Sequence, residues 1–426
     1  MTGSERLKIL IISQEFPYPL DHGGAIAQYY FLQHFHLEYD ISLCTYAPAS
    51  KVRTNLENLS RKLPGVKIYF FEKDKTEKKP NLADQFIQAV KRIRQLFFQQ
   101  PAASRRAIDE LNDASNCLQP DTAWIQFVSD HVMEHAYDLV QLEFIEGLSI
   151  LPYLPSHTKT LYICHEIRTK RLDLLKISGK HARYKMQITE KMRKDEFSLM
   201  NHLNAVVVFT EEDKTYLNHL NVPVYVCPFG LPEELRIKTG PSPCFDKIIF
   251  IGKELFWPNL EGLTWFLDVI YLPIADQIPF PIHIIGNWSG QFKKKYHHPK
   301  IIFEGEVDDL HLFFENSMMV SPVLSGSGIR TKILHAYANY IPVLSTPFAC
   351  EGLQYSDRQE RNVLQFENSK EFEGLIHSIQ NDPSILAEAS LNAHRFYMEK
   401  FGDQKLLAAR RNIYEQVSGD SIINEA

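Results

Sequence analysis

The chain has 426 residues, of which 44% are hydrophobic and 23% charged, an ordinary composition for a soluble globular protein. Because a single hydrophobic core stops growing beyond about 250–300 residues, this length predicts two domains. The net charge of −6 argues against a general attraction to nucleic acid, so we expect no nucleic-acid partner.

The six cysteines are scattered, without C-x-x-C spacing, and four of them lie in strongly apolar stretches. Free thiols in a reducing compartment are therefore expected, rather than disulfides or a zinc site. The apolar run near Met1 is only about five residues long, too short for the core of a signal peptide. No stretch reaches the roughly 18 apolar residues needed to cross a bilayer. We therefore expect a cytoplasmic protein.

The first half of the chain contains six short apolar runs, rich in β-branched residues, that alternate with helical segments. Their sequences are KILIIS, DISLCTY, VKIYFF, DLVQLEF, KTLYICHE and NAVVVFT. Such runs are typical of strands that are buried on both faces of a parallel sheet. Strands that alternate with helices in this way predict βαβ units.

The pair Gly23–Gly24 follows the first predicted strand and lies just before a helix. Paired glycines at the carboxyl end of a strand allow a phosphate or a sugar to approach the backbone closely, so both are candidate donor-binding residues. A turn that merely needs a left-handed conformation explains the pair almost as well.

One helical segment of the first half, residues 82–100, combines an apolar stripe with three basic residues. The stripe comprises Phe86, Val90, Ile93 and Phe97, and the basic residues are Lys91, Arg92 and Arg94. This pattern allows peripheral contact with a membrane of anionic lipid. A surface helix packed on its own sheet is the alternative interpretation.

His165 and Glu166 lie at the exit of the predicted strand KTLYICHE, and Glu143 holds a similar place after DLVQLEF. At a strand exit an imidazole can hydrogen-bond a substrate hydroxyl or take part in proton transfer, which makes His165 a candidate catalytic residue. The signal from Glu143 is weaker. A purely structural histidine would produce the same pattern.

A segment rich in proline and glycine over residues 230–245 indicates a linker, after which strands and helices alternate again. The second series of runs is KIIFIG, PIHIIG, KIIFEG, MMVSPV, IPVLST and NVLQF. We therefore predict two doubly wound, Rossmann-like α/β domains, 1–235 and 245–390, that face each other across a cleft. Residues 391–420 are expected to form terminal helices.

The stretch SGSGIRTKILHAY, which starts at Ser325, combines glycines, a helix start and cations. We expect the preceding strand to end near Val323 and a helix to begin near Ser327, a good N-cap residue. Gly326 and Gly328 allow close approach to the backbone. The free N–H groups of the first helical turn then form a site for an anion.

The basic residues of this helix strengthen the interpretation. A cation in the first turn opposes the helix dipole, so Arg330 makes better sense if an anion such as a diphosphate binds there. Arg330 and Lys332 should point to different sides, whereas Thr331, Lys332 and His335 share a face. His335 would lie about one turn below the phosphates, where a ribose fits. A surface helix with ordinary basic residues is the alternative.

Other phosphate-binding motifs do not fit. A dinucleotide fingerprint needs a third glycine where Thr331 stands and an acidic residue at the end of the next strand, and a P-loop sequence is absent. The adjacent aspartates Asp308 and Asp309 are interpreted as helix-capping residues rather than as a metal site, so no metal is expected.

Eight motifs occur in the order found in a known family: PYPLDHGG, YDLVQLEF, HEIRTKR, AVVVFTEED, VYVCPFG, IIFIGKELFWPNLEGLTWFLDVI, EGEVDDL and SGSGIRTKILHAYANYIPVLSTPFACEGL. Together they resemble retaining GT-B glycosyltransferases, in the group known as glycosyltransferase family 4 or glycosyl transferases group 1. The resemblance covers nearly the whole chain, and the last motif is its most specific part.

This resemblance implies transfer of a sugar from a nucleotide-diphosphate sugar to an acceptor hydroxyl, with retention and without a metal or other cofactor. The donor would bind the second domain and the acceptor, a glycan, a lipid-linked or a small molecule, the first. The terminal helices would cross back to the first domain.

The resemblance also implies roles for single residues. Gly24 would approach the donor diphosphate and His165 would line the sugar pocket. Lys253 stands where the family often has a phosphate-binding arginine. Arg330, with the amides of Ser327 and Gly328, would hold the diphosphate.

Two features depart from the family pattern. The family commonly has two glutamates eight residues apart, and Ser327 and His335 stand at those positions. A neutral imidazole accepts one hydrogen bond from a ribose hydroxyl, where a carboxylate accepts two. A lysine often found several residues after the position of Lys253 is replaced near Pro258 and Asn259. Weaker donor binding, a different nucleotide or lost activity would each explain these changes.

The preferred interpretation is a cytoplasmic glycosyltransferase of glycan biosynthesis. A catalytically impaired GT-B-like protein that binds a nucleotide sugar or a partner protein is the alternative, with His335 as its main support. A nucleotide-sugar epimerase on the same architecture would need more acid and base residues in the cleft than the sequence offers.

Overall fold

The computed structural model describes residues 6–47, 52–72, 102–119, 121–175, 177, 181–307, 309–326, 328–355 and 361–419. The helix predicted over residues 82–100, with its proposed lipid contact, lies outside these residues. So does Ser327, the predicted N-cap.

The first domain is built on a seven-stranded parallel sheet in the order β3-β2-β1-β4-β5-β6-β7. Its strands are β1 Lys8–Ser13, β2 Asp40–Ala47, β3 Val66–Glu72, β4 Leu139–Glu143, β5 Thr160–Ile163, β6 Ala205–Val208 and β7 Val224–Val226. Every residue of β4, β5 and β6 is buried. Burial along whole strands reflects helices on both faces of the sheet, although β4 also contains the buried polar residues Gln141 and Glu143.

Helices connect these strands and cover the sheet. They are α1 Gly23–Phe35, α2 Val52–Lys62, α3 Ala102–Asn116, α4 Thr122–Glu134, α5 Phe144–Gly147, α6 Arg168–Leu174, α7 Ala182–Met200 and α8 Glu211–Tyr216. Helices α4 and α8 begin at the side-chain caps Asp121 and Thr210.

The second domain contains a six-stranded parallel sheet in the order β10-β9-β8-β11-β12-β13. Its strands are β8 Lys247–Ile251, β9 Ile282–Ile285, β10 Ile301–Gly305, β11 Ser317–Ser321, β12 Val343–Ser345 and β13 Leu364–Gln365. The helices that follow them are α9 Trp257–Trp265, α10 Gly290–Lys295, α11 His311–Phe314, α12 Thr331–Ala338, α13 Ser369–Asn381, α14 Ser384–Phe401 and α15 Asp403–Ser418.

The predicted fold class is confirmed, because both sheets are parallel and doubly wound. Each of the twelve apolar runs forms a strand. Only β7 was missed among the described strands; it has three residues next to Pro223 and lies just before the stretch interpreted as a linker. The apolar residues Leu260, Leu263, Phe266 and Leu267 of α9 and of the helical segment that follows it are buried.

The last helix, α15, packs against the first sheet although it follows the second domain in sequence. Arg411 of α15 pairs with Glu38 at 2.7 Å, and the Tyr414 hydroxyl donates to Gln141 of β4 at 2.7 Å. The chain thus returns to its first domain at its end.

All six cysteines carry free thiols, and four of them are buried. None of the described helices combines the length and apolar character needed to cross a membrane.

Asp403, the first residue of α15, connects this helix to α1 and to the interdomain segment. Its carboxylate accepts a hydrogen bond from Tyr30 of α1 at 2.9 Å and pairs with Arg236 of the interdomain segment at 2.8 Å. Asp403→Asn should lower the free energy of unfolding by about 2 kcal/mol, because it weakens charge-assisted hydrogen bonds to a buried hydroxyl and a guanidinium.

Urea unfolding measures this difference. The matched control is Asp246→Asn, which removes the charge of an exposed carboxylate 3.4 Å from Lys247 and should change stability by less than about 0.5 kcal/mol. Equal stabilities for the two variants would show that the contacts of Asp403 do not stabilise the folded protein.

Candidate active site

A loop rather than a helix follows β11. The strand ends at Ser321 and α12 begins at Thr331, so the prediction of a helix start near Ser327 is wrong. Gly326 and Gly328 have φ angles of 120° and 73°, and these left-handed conformations cannot continue a right-handed helix. The N-cap position is occupied by Arg330, which therefore precedes the first turn instead of lying within it.

Arg330 is a partly buried cation at the amino end of α12. Its guanidinium donates to the Gly328 carbonyl and lies 5.0 Å from the ring centroid of Phe348. Burial lowers the pKa of Arg330, while the carboxylates of Asp213, Glu351 and Glu166 act in the opposite direction. A cation that is partly removed from water at a helix amino end would bind an anion strongly.

Lys332 lies one residue into α12 and has different neighbours. Its ammonium donates to Asn259 Oδ1 at 2.7 Å and lies 4.7 Å from the ring centroid of Phe250. Burial, together with the nearby charge of Arg330, lowers the pKa of Lys332 to about 7. Its charge state is thus sensitive to any anion that binds beside it.

His335 is buried inside the second domain. Its ring meets Phe314 edge to face at 5.0 Å and forms a hydrogen bond with the Leu235 backbone. Burial lowers the pKa of His335 to about 4, so the imidazole is neutral at physiological pH. Its role toward a ribose stays a prediction.

The glycine-rich corner of the second domain meets the first domain directly. A Cβ atom placed on Gly328 would lie 2.5 Å from the carbonyl oxygen of His165, and one placed on Gly23 would lie 2.6 Å from Oγ1 of Thr331. The structure therefore brings together, across the domain boundary, the residues that the sequence singled out in the two halves.

Lys253, after β8, also reaches the first domain. Its ammonium lies 2.8 Å from Asp21 and 3.7 Å from Glu306. The hydrogen bonds that Asp21 receives from His22 and Lys253 hold the pKa of that carboxyl well below its usual range. Asp21 thus stands where a phosphate oxygen would be expected if Lys253 binds phosphate.

His22 lies between two carboxylates at the edge of this cluster. Its ring nitrogens are 2.9 Å from Asp21 and 2.9 Å from Glu15. Burial disfavours the charged ring, but the two hydrogen bonds outweigh this effect and raise the pKa of His22 to about 9. The imidazole is therefore charged at neutral pH, and its charge stabilises the carboxylates of Asp21 and Glu15 at the domain contact.

His165 lies just beyond the end of β5 and is held from two sides. Its Nε2 is 2.5 Å from Oε2 of Glu143, and its ring stacks on Phe144 with 3.9 Å between centroids. Phe209 meets the same ring edge to face at 5.3 Å. Neighbouring parallel strands end at the same edge of the sheet, which is why Glu143 of β4 reaches a residue that follows β5.

Gly24 faces Phe144 and Glu15. A Cβ atom at Gly24 would lie 2.7 Å from the Phe144 ring and 3.3 Å from Glu15 Oε2. Gly24 therefore allows α1 to begin against the ring on which His165 stacks.

Sequence reasoning gave too little weight to Glu143, named Asn259 only as a departure from the family pattern, and missed Asp21 and Phe348. The position of Glu143 at a strand exit was a usable signal. The other three are recognised only through contacts between distant parts of the chain, which no local pattern records.

No group of three or more possible metal ligands occurs among the residues that the structure describes. Asp309 accepts a hydrogen bond from the backbone N–H of His311 at 2.8 Å. The N-cap of α11 is Leu310 and its first turn contains no acidic residue, so the interpretation of Asp309 as a cap or first-turn acid is wrong in position, and Asp308 lies outside the described residues.

The buried His335 makes a testable contribution to acid sensitivity. Its pKa lies near 4 in the folded protein and near 6.5 in an unfolded chain, so the unfolded state binds more protons between these values. Stability is therefore lost as the pH falls through this window, by about 2 kcal/mol between pH 8 and pH 5. His335→Gln should lose about 2 kcal/mol less than the wild type over the same interval.

Urea unfolding at the two pH values measures this difference, with His335→Leu as a second variant that also lacks a titrating ring. An equal loss in wild type and both variants would show that His335 does not titrate as its burial requires.

Residues 246–382 match the family model described as Glycosyl transferases group 1. A Klebsiella pneumoniae protein described as an uncharacterized 44.6 kDa protein in the cps region is 25% identical over 174 residues, which cover 38% of this chain and 44% of that protein. The chain thus matches less than half the length of this curated relative.

Solved structures resemble the whole chain. Sucrose-phosphate synthase from Thermosynechococcus elongatus has a TM-score of 0.66 at 12% identity, covering 98% of this chain and 100% of that one. A TarM variant from S. aureus, in complex with fondaparinux, alpha-GlcNAc-glycerol and UDP, has a TM-score of 0.65 at 12% identity, with 96% and 99% covered. Anabaena HepE in complex with UDP has a TM-score of 0.60 at 13% identity, with 97% and 100% covered. The chain therefore has the GT-B fold, and residues 246–382 of its second domain match the Glycosyl transferases group 1 model.

Proposed function

We propose that this protein transfers a sugar from a nucleotide-diphosphate sugar to the hydroxyl of an acceptor, with retention of configuration and without a metal ion. One observation carries the proposal. The cationic amino end of α12, with Arg330 and Lys332, faces His165 and Gly23 across the boundary between two domains of a GT-B fold.

In this proposal the second domain binds the donor. The diphosphate lies at the amino end of α12 beside the backbone of Gly328, with Thr331 next to it. Arg330 and Lys332 supply two positive charges from different sides, and Lys253 supplies a third. Charge that develops on the departing nucleotide would be stabilised by these fixed groups in a site with little water.

Donor binding requires the two domains to separate slightly at this corner. Gly23 and Thr331 leave no room between them for a phosphate. The ammonium of Lys253 is already paired with the carboxylate of Asp21. The Asp21–Lys253 pair is roughly half exposed, and such pairs contribute little to stability, so a diphosphate can replace the carboxylate at small cost.

The first domain contributes His165. A neutral imidazole whose Nε2–H donates to Glu143 has its lone pair on Nδ1, which can accept a hydrogen bond from a sugar or acceptor hydroxyl. We place the reacting hydroxyl on the same face of the sugar as the departing phosphate. The acceptor oxygen bonds to the anomeric carbon, the bond to the phosphate oxygen breaks, and the hydroxyl proton moves to that phosphate.

The structural relatives support a uridine nucleotide as the first donor to test. HepE is described in complex with UDP-glucose, and the TarM variant in complex with UDP and saccharide ligands. A UDP-sugar donor and a glycan, lipid-linked or small-molecule acceptor are therefore the preferred substrates in this proposal.

A second candidate function is donor or partner binding without catalysis. The observation that favours it is the neutral, buried His335, whose hydrogen bond to Leu235 leaves less capacity for ribose hydroxyls than a carboxylate would have.

Hydrolysis and transfer assays with UDP-, GDP- and ADP-sugars test the main proposal, together with calorimetric titration of the nucleotides. Arg330→Gln should lower kcat/KM about 100-fold or more, because it removes a charge that acts on the leaving group. The matched control is Arg193→Gln, which changes an arginine paired with Asp173 on the outside of the first domain and should leave kcat/KM unchanged.

Nucleotide binding without turnover on any donor would support the second candidate. Absence of both binding and turnover would exclude the two functions together.

Lys332 should make nucleotide binding depend on pH. Because the pKa of Lys332 is about 7 before an anion binds, the lysine loses its charge as the pH rises above neutrality. The dissociation constant for UDP in the wild type should then rise roughly tenfold more between pH 6.5 and pH 8.5 than in Lys332→Arg, which stays charged.

Calorimetry at the two pH values measures this effect, and Lys332→Arg also corrects for ionisation of the nucleotide itself. Lys332→Met should bind weakly at both values. The same pH dependence in wild type and Lys332→Arg would remove Lys332 from the diphosphate site.

A further inference from the structure

The terminal helix α15 is connected to His165 by a continuous chain of hydrogen bonds. The Tyr414 hydroxyl donates to Gln141 Oε1 at 2.7 Å, and Gln141 Nε2 donates to Glu143 Oε1 at 2.5 Å. The other carboxylate oxygen of Glu143 accepts from His165 Nε2 at 2.5 Å. Four side chains from three parts of the sequence thus form one linear network that ends at the candidate active site.

This network is enclosed by protein. Tyr414, Gln141 and Glu143 are each 2–3% exposed. Gln141 and Glu143 are two residues apart on β4, so both side chains project from the same face of the sheet, the face that α15 covers. In such a low-dielectric setting hydrogen bonds are strong and their directions are well defined, so a change at one end affects the other.

Arg410, a second residue of α15, places a positive charge beside this network. Arg410 precedes Tyr414 by one helical turn, is fully buried, and lies with its guanidinium 3.8 Å from the ring centroid of Phe31. It lines a small cavity together with Glu143, His165 and Gln28. Within the described residues, the guanidinium of Arg410 has Cys227 and Tyr414 as its polar neighbours and no bonded carboxylate, and the amide of Gln28 has no hydrogen-bond partner.

A buried guanidinium without a bonded carboxylate is costly, and replacing it by an apolar side chain of similar size is often neutral or stabilising. The packing of α15 therefore does not account for the charge of Arg410. Glu143 is the carboxyl group that lines the same cavity, and its two oxygens accept the hydrogen bonds from Gln141 and His165. A cation in that cavity attracts this carboxylate.

We propose that Tyr414 and Arg410 are positioning residues: through Gln141 and Glu143, the terminal helix holds His165 in the orientation and tautomer that present Nδ1 to a hydroxyl of the bound sugar. The orientation part is independent of the reaction. The use of Nδ1 in catalysis rests on the proposed function.

The helix could equally be held to the sheet by these contacts without any effect on His165. Tyr397 of α14 provides the matched comparison, because its hydroxyl accepts a buried hydrogen bond from the Leu231 backbone at 2.8 Å and has no link to Glu143. Tyr414→Phe and Tyr397→Phe each remove one buried hydroxyl, so a purely structural role predicts the same outcome for both.

The test is nitrogen NMR of the full-length protein labelled with ¹⁵N-histidine, with the His165 signals assigned from a His165→Gln variant. The wild type should show a neutral ring protonated at Nε2. Glu143→Gln should give a mixture of tautomers, and Tyr414→Phe should shift the Nε2 resonance in the same direction. Tyr397→Phe should leave both His165 resonances at their wild-type positions.

Arg410 is tested by a conservative pair. Arg410→Lys should retain the wild-type tautomer. Arg410→Met should give the same mixture as Glu143→Gln while unfolding at a urea concentration no lower than the wild type. A Met variant with wild-type His165 resonances would exclude Arg410 from the network, whatever its stability.

Kinetics with an identified donor give the second measurement. Tyr414→Phe should lower kcat about fivefold with little change in KM for the donor, the effect expected of one lost hydrogen bond that acts on orientation. Tyr397→Phe should lower neither.

The outcomes separate the two proposals. Unchanged His165 resonances in Tyr414→Phe and Glu143→Gln would overturn the positioning network even in an active transferase. Resonances that change as expected, in a protein that neither binds nor turns over any nucleotide sugar, would support the network and reject the proposed function.

Discussion

The candidate site depends on how closely the backbone of one domain can approach the other at residues 326–331. Gly328 holds a left-handed conformation and touches the His165 carbonyl, while Gly23 touches Thr331. Any side chain at Gly328 would be strained and would also separate the domains. The absence of side chains at this contact is what allows a helix end, two cations and an imidazole to come within reach of one small ligand.

The electrostatics of the two domains are complementary around this contact. The second domain presents Lys253, Arg330 and Lys332, and the first presents carboxylates, of which Asp21 pairs directly with Lys253. The domains therefore attract each other without a ligand. Since the Asp21–Lys253 pair is half exposed, its attraction is weak enough for a more highly charged anion to compete with it.

The sequence predicted the sheets well because strands buried on both faces must be continuously apolar, and such runs stand out from their surroundings. β7 was not predicted because its three residues lie between turn-forming segments. The start of α12 was misplaced because Ser327 is a good cap in isolation, whereas the left-handed conformation of Gly328 ends any helix at that point.

The candidate site was predicted only where its residues form a local sequence pattern. Glycines, cations and strand exits are visible in a sequence, so Gly23, His165, Lys253 and Arg330 were singled out before their mutual positions were known. Their hydrogen-bond partners, such as Glu143 for His165, become apparent only in the folded sheet, where parallel strands end side by side. Tyr414 lies 273 residues beyond its partner Gln141, and no periodicity connects them.

The return of α15 to the first domain has a consequence for biosynthesis. Tyr414 covers Phe35 and Tyr39 with ring centroids 5.9 Å and 5.6 Å apart, and Arg410 covers Phe31. A ribosome that adds about 5–20 residues per second reaches Tyr414 roughly ten to forty seconds after the last strand of the first domain. Through that interval an aromatic face of the nascent domain stays uncovered, which makes it a natural point of contact for a chaperone.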